Sequence, residues 1–338
     1  MDKFKEILEK AASVLIITHV GPDPDAFCSL LLTGTTLEAN YPDKKIVMSS
    51  EEQTGGLNFL TGYGKIKLQK LADAIQNDQP DLIIMVDAMN FKRCTRGDDQ
   101  EIAKLVKEKR IKLAIIDHHE RVNIEENNVY INQDSPAAVQ DVYEVMFSGI
   151  KLNKPVGYAQ TTMLGLYSDT GGFAYENKRY RDTLKLVGDL IEAGASVEKT
   201  RNLLDRYSTD SMLALSELAR NLSHKDDYSF SFVGDDFTKN WQNQGKNFDE
   251  LKIACGHFAN DYIRNIDGRV WGFVVYKDLA GGDDIYGVSL RAMGGTKNVA
   301  LIANALGGGG HIAAAGTKIK ASSVQEVIKA VQSTISQM

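Results

Sequence analysis

The stretch Val14-Leu15-Ile16-Ile17-Thr18-His19-Val20-Gly21-Pro22-Asp23-Pro24-Asp25 decides how this chain is read. Four consecutive apolar residues describe a short apolar strand. Directly after it, one imidazole and two carboxylates (His19, Asp23, Asp25) fall within seven residues. Carboxylates packed that closely repel one another unless a cation or several donors lie between them, so the segment reads as half of a metal site. The competing reading is a capping loop, with Asp25 as N-cap of a helix running through Leu30.

The other half stands in the same context. Leu82-Ile83-Ile84-Met85-Val86 ends at Asp87, and Lys112-Leu113-Ala114-Ile115-Ile116 ends at Asp117-His118-His119. In a doubly wound parallel sheet the carboxyl ends of the strands line one crevice, where residues far apart in sequence meet. Residues 13 to about 190 alternate short apolar strands with helical stretches, which is the α/β pattern. A fourth acidic element, Ser168-Asp169-Thr170-Gly171-Gly172-Phe173, follows a helical stretch, and its glycine pair predicts a tight turn presenting Asp169.

At 338 residues the chain suits two domains. A doubly wound, mostly parallel sheet domain is expected over 1–195. The strongly helical run from Lys199 to Leu222 predicts a linker over 196–224, and a smaller α/β domain is expected over 225–338. The alternation of Tyr228-Ser229-Phe230-Ser231-Phe232-Val233 reads as the first strand of that second domain, and Tyr262, Trp271, Phe273 and Tyr286 read as core, with one of them a candidate for stacking on a base.

A net charge of -6 argues against a protein that coats long nucleic acid, because such binding draws on many Lys and Arg. A small anionic substrate remains compatible, since bound metals invert the local charge. No apolar run approaches the roughly 20 residues of a membrane helix, Met1 to Lys10 does not read as a signal peptide, and no membrane partner is expected. Cys28, Cys94 and Cys255 are odd in number and widely spaced, which suits a reduced cytoplasm. Thr61-Gly62-Tyr63-Gly64-Lys65 lacks phosphate-loop spacing, and His224 and His257 belong to no motif.

In the order His-x-x-x-Asp-x-Asp at 19–25, Asp87, the triplet 117–119 and Asp169 before Thr-Gly-Gly-Phe, the chain resembles the DHH phosphoesterase superfamily. Ser289-Leu290-Arg291, then Gly307-Gly308-Gly309-Gly310-His311 and Ala313 to Gly316, resemble its DHHA1 substrate-binding domain. The resemblance implies two divalent ions, one held by His19, Asp23 and Asp87, the other by Asp25, Asp87, His118 and Asp169, with Asp87 bridging. Mixed imidazole and carboxylate ligands suit manganese, iron, cobalt or zinc better than magnesium, and of these manganese is expected. A water shared by two such ions, about 3.5 to 4 Å apart, would serve as nucleophile at phosphorus. Asp117 is assigned to supporting the ligands rather than to the ions. Because the ligands absorb most of the metal charge, substrate phosphate should need further donors, and His119, Arg291 and His311 are the candidates.

The glycine run reads as a phosphate cradle with a helix starting just after it, its competitor being a helix stop after Asn298 to Leu306. Two departures from the family stand out. Pro24 lies where many relatives carry Gly, and Ser135-Pro136-Ala137-Ala138-Val139 replaces a hydroxyl-rich run, so hydroxyl contacts are expected to be missing. The leading function implied is hydrolysis of di- to tetraribonucleotides to mononucleotides, with adenosine 3′,5′-bisphosphate as a further substrate. Hydrolysis of cyclic di-AMP or of pApA is the alternative. A non-catalytic nucleotide sensor is disfavoured because every expected ligand is present. A homodimer is left open.

Overall fold

The computed structural model describes residues 1–119, 129–279, 282, 284–294 and 296–338. They form two compact units, residues 1–206 and 207–338.

The first unit is built on six parallel strands: β1 (Ser13–Ile17), β2 (Lys45–Ser50), β3 (Lys67–Leu68), β4 (Leu82–Val86), β5 (Lys112–Ile116) and β6 (Val129–Ile131). Their order across the sheet is β3-β2-β1-β4-β5-β6. The order reverses between β1 and β4, and such a reversal opens a crevice at the carboxyl ends of the strands. Alternation along each strand sends side chains to two separate cores. Val14, Ile16, Ile84, Val86, Ala114 and Ile116 pack with the helices Pro24–Asn40, Ala138–Tyr143 and Tyr158–Asp169. Leu15, Ile17, Ile83, Met85, Leu113 and Ile115 face the helices Leu71–Asp78 and Asp99–Glu108. Burial on both faces is why these strands read as unbroken apolar runs.

The second unit carries strands β7 (Ser223–Lys225), β8 (Tyr228–Phe232), β9 (Trp271–Lys277), β10 (Ile285–Ala292), β11 (Gly309–His311) and β12 (Ala314–Lys320), in the order β11-β12-β10-β9-β8-β7. All neighbours are antiparallel except β8 and β9. Trp271, Phe273 and Tyr286 are core residues as expected, whereas Tyr262 is 51% exposed, its ring stacked on Phe258.

The segment 196–224, expected to be one helical linker, is divided between the units. The helix Val197–Leu204 belongs to the first, where Gln160 bonds Ser196 and Thr200. The helix Thr209–Arg220 belongs to the second, where it buries Ala214, Leu215 and Leu218 with Leu251 and Phe258. The glycine run also departs from expectation. Gly307, at φ +78°, ends the helix Val299–Ala305, and the chain then enters β11 rather than a helix. No helix N-terminus follows the glycines, so that part of the anion-cradle argument fails. Close approach of strands accounts for two of them: a Cβ on Gly308 would lie 2.2 Å from the Gly316 carbonyl oxygen, and one on Gly310 2.5 Å from the Ala315 Cα.

Candidate metal centre

Three strand ends meet at the switch point. His19 follows β1, Asp87 follows β4, and Asp117-His118-His119 follow β5. Asp87 extends the sheet by one bond, its N–H donating to the Ile116 carbonyl at 3.0 Å, and then turns into the left-handed region at φ +52°. A non-glycine residue there is uncommon and costs about 1 kcal/mol or more, which suggests that its side chain is needed where the turn puts it.

Asp87 is the hub. Its Oδ2 lies 3.5 Å from His19 Nε2, and its Oδ1 3.4 Å from His118 Nε2. Oδ1 is fully buried without a hydrogen-bond partner. His19 Nε2 also lies 3.9 Å from Asp23 Oδ2, and His118 Nε2 lies 3.6 Å from Asp169 Oδ2. These separations are too long for hydrogen bonds and suit atoms sharing a cation. His19 Nδ1 sits 3.0 Å from the Val20 carbonyl. The carbonyl fixes the proton on Nδ1 and leaves the Nε2 lone pair aimed at the carboxylates, the tautomer of a metal ligand.

The ligand atoms of His19, Asp23 and Asp87 lie within 4.8 Å of one another, as do those of Asp25, His118 and Asp169. The structure thus brings the residues of the two groups that the resemblance implies close together, with Asp87 beside His19 of the one and His118 of the other. An orphaned buried carboxylate oxygen among lone pairs of oxygen and nitrogen fits divalent cations better than any arrangement of protein hydrogen bonds. Without an ion, protons offset the crowded carboxylates in its place. Burial pushes Asp87 up, yet the His118 and His19 imidazoles hold it at about 2. Burial, with Asp23 and Asp87 beside it, pushes Asp169 up to about 7. Burial lowers His118, but Asp87 and the surrounding carboxylates hold it up at about 10.

Asp23 and Asp25 take different parts. Asp23 is the N-cap of the helix Pro24–Asn40, its Oδ1 accepting from the Ala26 N–H at 2.9 Å, with Pro24 at the first helical position, where proline is favoured. The capping role that the competing reading gave to Asp25 therefore falls to Asp23. Asp25 is fully buried and bonds another helix altogether, accepting from the N–H groups of Ala138 (2.6 Å) and Val139 (3.0 Å). Burial, with Asp169 and Asp87 nearby, raises its carboxyl well above the usual range.

These two amides were not legible in the sequence. The Ser135–Val139 segment serves through its backbone at Asp25, and its serine points elsewhere, Ser135 Oγ accepting from Arg179 at 2.8 Å. Gly165 was missed too. A Cβ there would lie 2.9 Å from Asp25 Oδ1 and 2.9 Å from Val139 Cγ1, so only glycine lets the helix Tyr158–Asp169 pass so close. A glycine inside a helix costs about 1 kcal/mol against alanine, and that cost was the available signal. Asp169 is the last residue of this helix, and Gly171, Gly172 and Phe173 follow it, all with positive φ.

Asp117 is fully buried and holds His119: its Oδ1 lies 2.8 Å from His119 Nδ1 and 3.3 Å from the His119 N–H. The ring is thereby oriented with Nε2 away from Asp117. Asp117 and His119 also have ligand atoms within reach of Asp87 and His118. In the second unit Arg291, Ala314 and His311 are paired in one row across β10, β12 and β11. Arg291 Nε donates to Asn260 Oδ1 at 2.6 Å and Nη1 to the Leu290 carbonyl at 2.9 Å, while His311 is exposed.

Comparison with known proteins places the chain in a family. The chain is similar to the bifunctional oligoribonuclease and PAP phosphatase NrnA of Bacillus subtilis, 26% identical over 316 residues, 91% of this chain and 89% of that protein. It is also similar to the cyclic-di-AMP phosphodiesterase GdpP of Geobacillus thermodenitrificans, 23% identical over 95% of this chain but only 47% of that protein. In fold it matches the crystal structure of an exopolyphosphatase-related protein from Bacteroides fragilis, with TM-score 0.80, 20% identity and coverage of 99% and 95%. Residues 13–166 match the DHH family N-terminal domain and residues 213–337 the DHHA1 domain, so the chain is a two-domain DHH–DHHA1 protein.

Proposed function

We propose that this protein is a phosphoesterase, dependent on two divalent ions with manganese preferred, that hydrolyses di- to tetraribonucleotides to mononucleotides and removes the 3′-phosphate of adenosine 3′,5′-bisphosphate. The observation that carries the reading is the pair of candidate ligand groups joined at Asp87, whose buried Oδ1 has no partner. Bound there, the ions would supply an activated water and neutralise charge developing on phosphorus. His19, Asp23 and Asp87 would hold one, and Asp25, Asp87, His118 and Asp169 the other. His119, fixed by Asp117 at Nδ1, can hold a proton at Nε2 for a phosphoryl oxygen. Arg291 and His311 are the proposed donors to the substrate in the DHHA1 domain, and no long nucleic acid or membrane partner is expected.

The substrate class rests on likeness to NrnA over nearly the whole chain. Likeness to GdpP supports the second reading, hydrolysis of cyclic di-AMP or pApA. A reducing cytoplasm is part of the proposal: Cys28, Cys94 and Cys255 are all buried and unpaired, and burial pushes each thiol up, which suits inert core cysteines. Among the described residues no helix is long and apolar enough to cross a membrane. The test is a panel of 5′-phosphorylated di- to tetranucleotides, RNA of 20 or more residues, adenosine 3′,5′-bisphosphate, pApA and cyclic di-AMP, assayed with manganese and with chelator. Fast turnover of the short linear substrates and loss on chelation are expected. Preference for cyclic di-AMP moves the assignment to the second reading, and full activity in chelator defeats both.

A further inference from the structure

Outside Asp25 stands a residue that belongs to none of the motifs. Ala138 and Val139 hold both oxygens of Asp25 from the first turn of the helix Ala138–Tyr143, and Ala137, at its N-cap, provides no side-chain cap. Arg179 holds this helix from the residues on either side of it. Its Nη1 donates to the Gln133 carbonyl (3.2 Å), to Ser135 Oγ (2.8 Å) and to Glu144 Oε2 (3.0 Å), while Nη2 donates to Glu144 Oε1 (2.8 Å). Residues 133 and 135 precede the helix, and Glu144 is where it passes without a break into the π-helical turn Glu144–Gly149. A planar guanidinium can grip a carboxylate with two parallel bonds and still reach a carbonyl and a hydroxyl, which an ammonium cannot do in fixed geometry. Gln140 continues the network, donating to Glu144 Oε1 at 3.1 Å and accepting from Thr183 Oγ1 at 2.8 Å, so the helix Tyr180–Glu192 that follows Arg179 is tied in as well.

We propose that Arg179 is a positioning residue for the second metal ion: by tying the residues that precede the helix 138–143 to Glu144, where the α-helix gives way to a π-helical turn, it sets the two amides that aim Asp25 at His118 and Asp169. This rests on the two-ion reading above. The partners of Arg179 named here include no candidate ligand, so it acts through the helix. The group formed by His19, Asp23 and Asp87 does not depend on these amides. Loss of Arg179 therefore weakens one ion and spares the other.

The test is equilibrium dialysis of manganese against the whole protein, wild type and Arg179→Met, together with the manganese dependence of activity. Wild type is expected to bind two ions. Arg179→Met keeps one at wild-type affinity, while the dissociation constant of the second rises about tenfold or more, the scale seen when a partner of a ligand is removed. The manganese concentration for half-maximal activity rises in parallel, and kcat recovers at saturating metal, which a merely misfolded fraction would not do. Arg179→Lys, with the charge but not the fork, falls between. If Arg179→Met does not fold, Glu144→Gln carries the same test with a smaller shift. Two ions at wild-type affinity in the folded variant, or equal weakening of both, overturns the role of Arg179 and leaves the two-ion reading standing. A wild-type protein that binds fewer than two ions removes that reading, and the proposal with it.

Discussion

The crevice of the first unit and the glycine-rich row of the second were read from the sequence with the same reasoning, yet the structure treats them differently. In the crevice, polar groups are buried and left wanting: Asp87 Oδ1 has no partner, and two imidazoles face carboxylates at 3.4 to 3.9 Å. In the second unit, the candidate arginine has partners. Arg291 is bonded to Asn260 and Leu290, and Gly308 and Gly310 make room for neighbouring strands. An unsatisfied buried atom demands a ligand, whereas a satisfied one is compatible with a ligand and equally with none. The contrast says that metal binding is written into the first unit's fold more firmly than substrate binding is into the second's.

The sharpest way to break that contrast is Asp87→Asn. Losing the carboxylate shared by both groups should lower phosphodiesterase activity by at least about 10³-fold, corresponding to several kcal/mol of transition-state stabilisation, with bound manganese falling below two per chain and circular dichroism unchanged. A folded variant with two ions and normal turnover would dissolve the site.

Arg291→Ala probes the other side. If Arg291 grips substrate through a charge-assisted hydrogen bond, kcat/KM on dinucleotides falls by about 1.5 to 3 kcal/mol, ten- to a hundred-fold, at unchanged manganese content. Turnover of a generic aryl phosphodiester, which offers no nucleotide, should fall less. Equal losses on both substrates would make Arg291 a fold residue like its glycine neighbours.

Gly165→Ala asks how tightly the crevice is built. The added methyl meets Asp25 Oδ1 and Val139 Cγ1, both at 2.9 Å, and overpacking of that kind costs about 1 to 3 kcal/mol. The melting temperature should drop and manganese affinity with it. A variant as stable as wild type would mean that the helix can shift freely.

The smallest effect is in the metal-free protein. Asp169, at about 7, and His118, at about 10, both lie above their ordinary 3.8 and 6.5, so the stability each contributes is complete at low pH and is lost as pH rises through the folded value. Asp87, held at about 2, works in the opposite sense only below about pH 4. Metal-free stability should therefore decline steadily from pH 6 to 8, and manganese should raise the melting temperature more at pH 8 than at pH 6. A flat or rising metal-free curve would contradict the crowding of carboxylates.

What the sequence revealed follows from what leaves a mark on residue type. β1, β4 and β5 were legible because strands covered on both faces are apolar throughout, and the acids and imidazoles at their ends stand out against that background. The Ala138 and Val139 amides left no mark, since every residue but proline carries one. Arg179 was hidden because its partners Ser135 and Glu144 are 44 and 35 residues away, joined only by folding. The glycines of 307–310 were visible but ambiguous: a strand crossing and an anion cradle both require a missing Cβ, and only the register of β11 on β12 separates the two.

The backbone of Asp87 has one more consequence. At φ +52° asparagine and glycine are at least as comfortable as aspartate, so the turn itself would accept either. The backbone there does not defend the carboxylate; only the groups around it do. Drift at this position would thus leave an intact shell without its reaction, the natural route by which such a fold could turn from catalyst into mere binder.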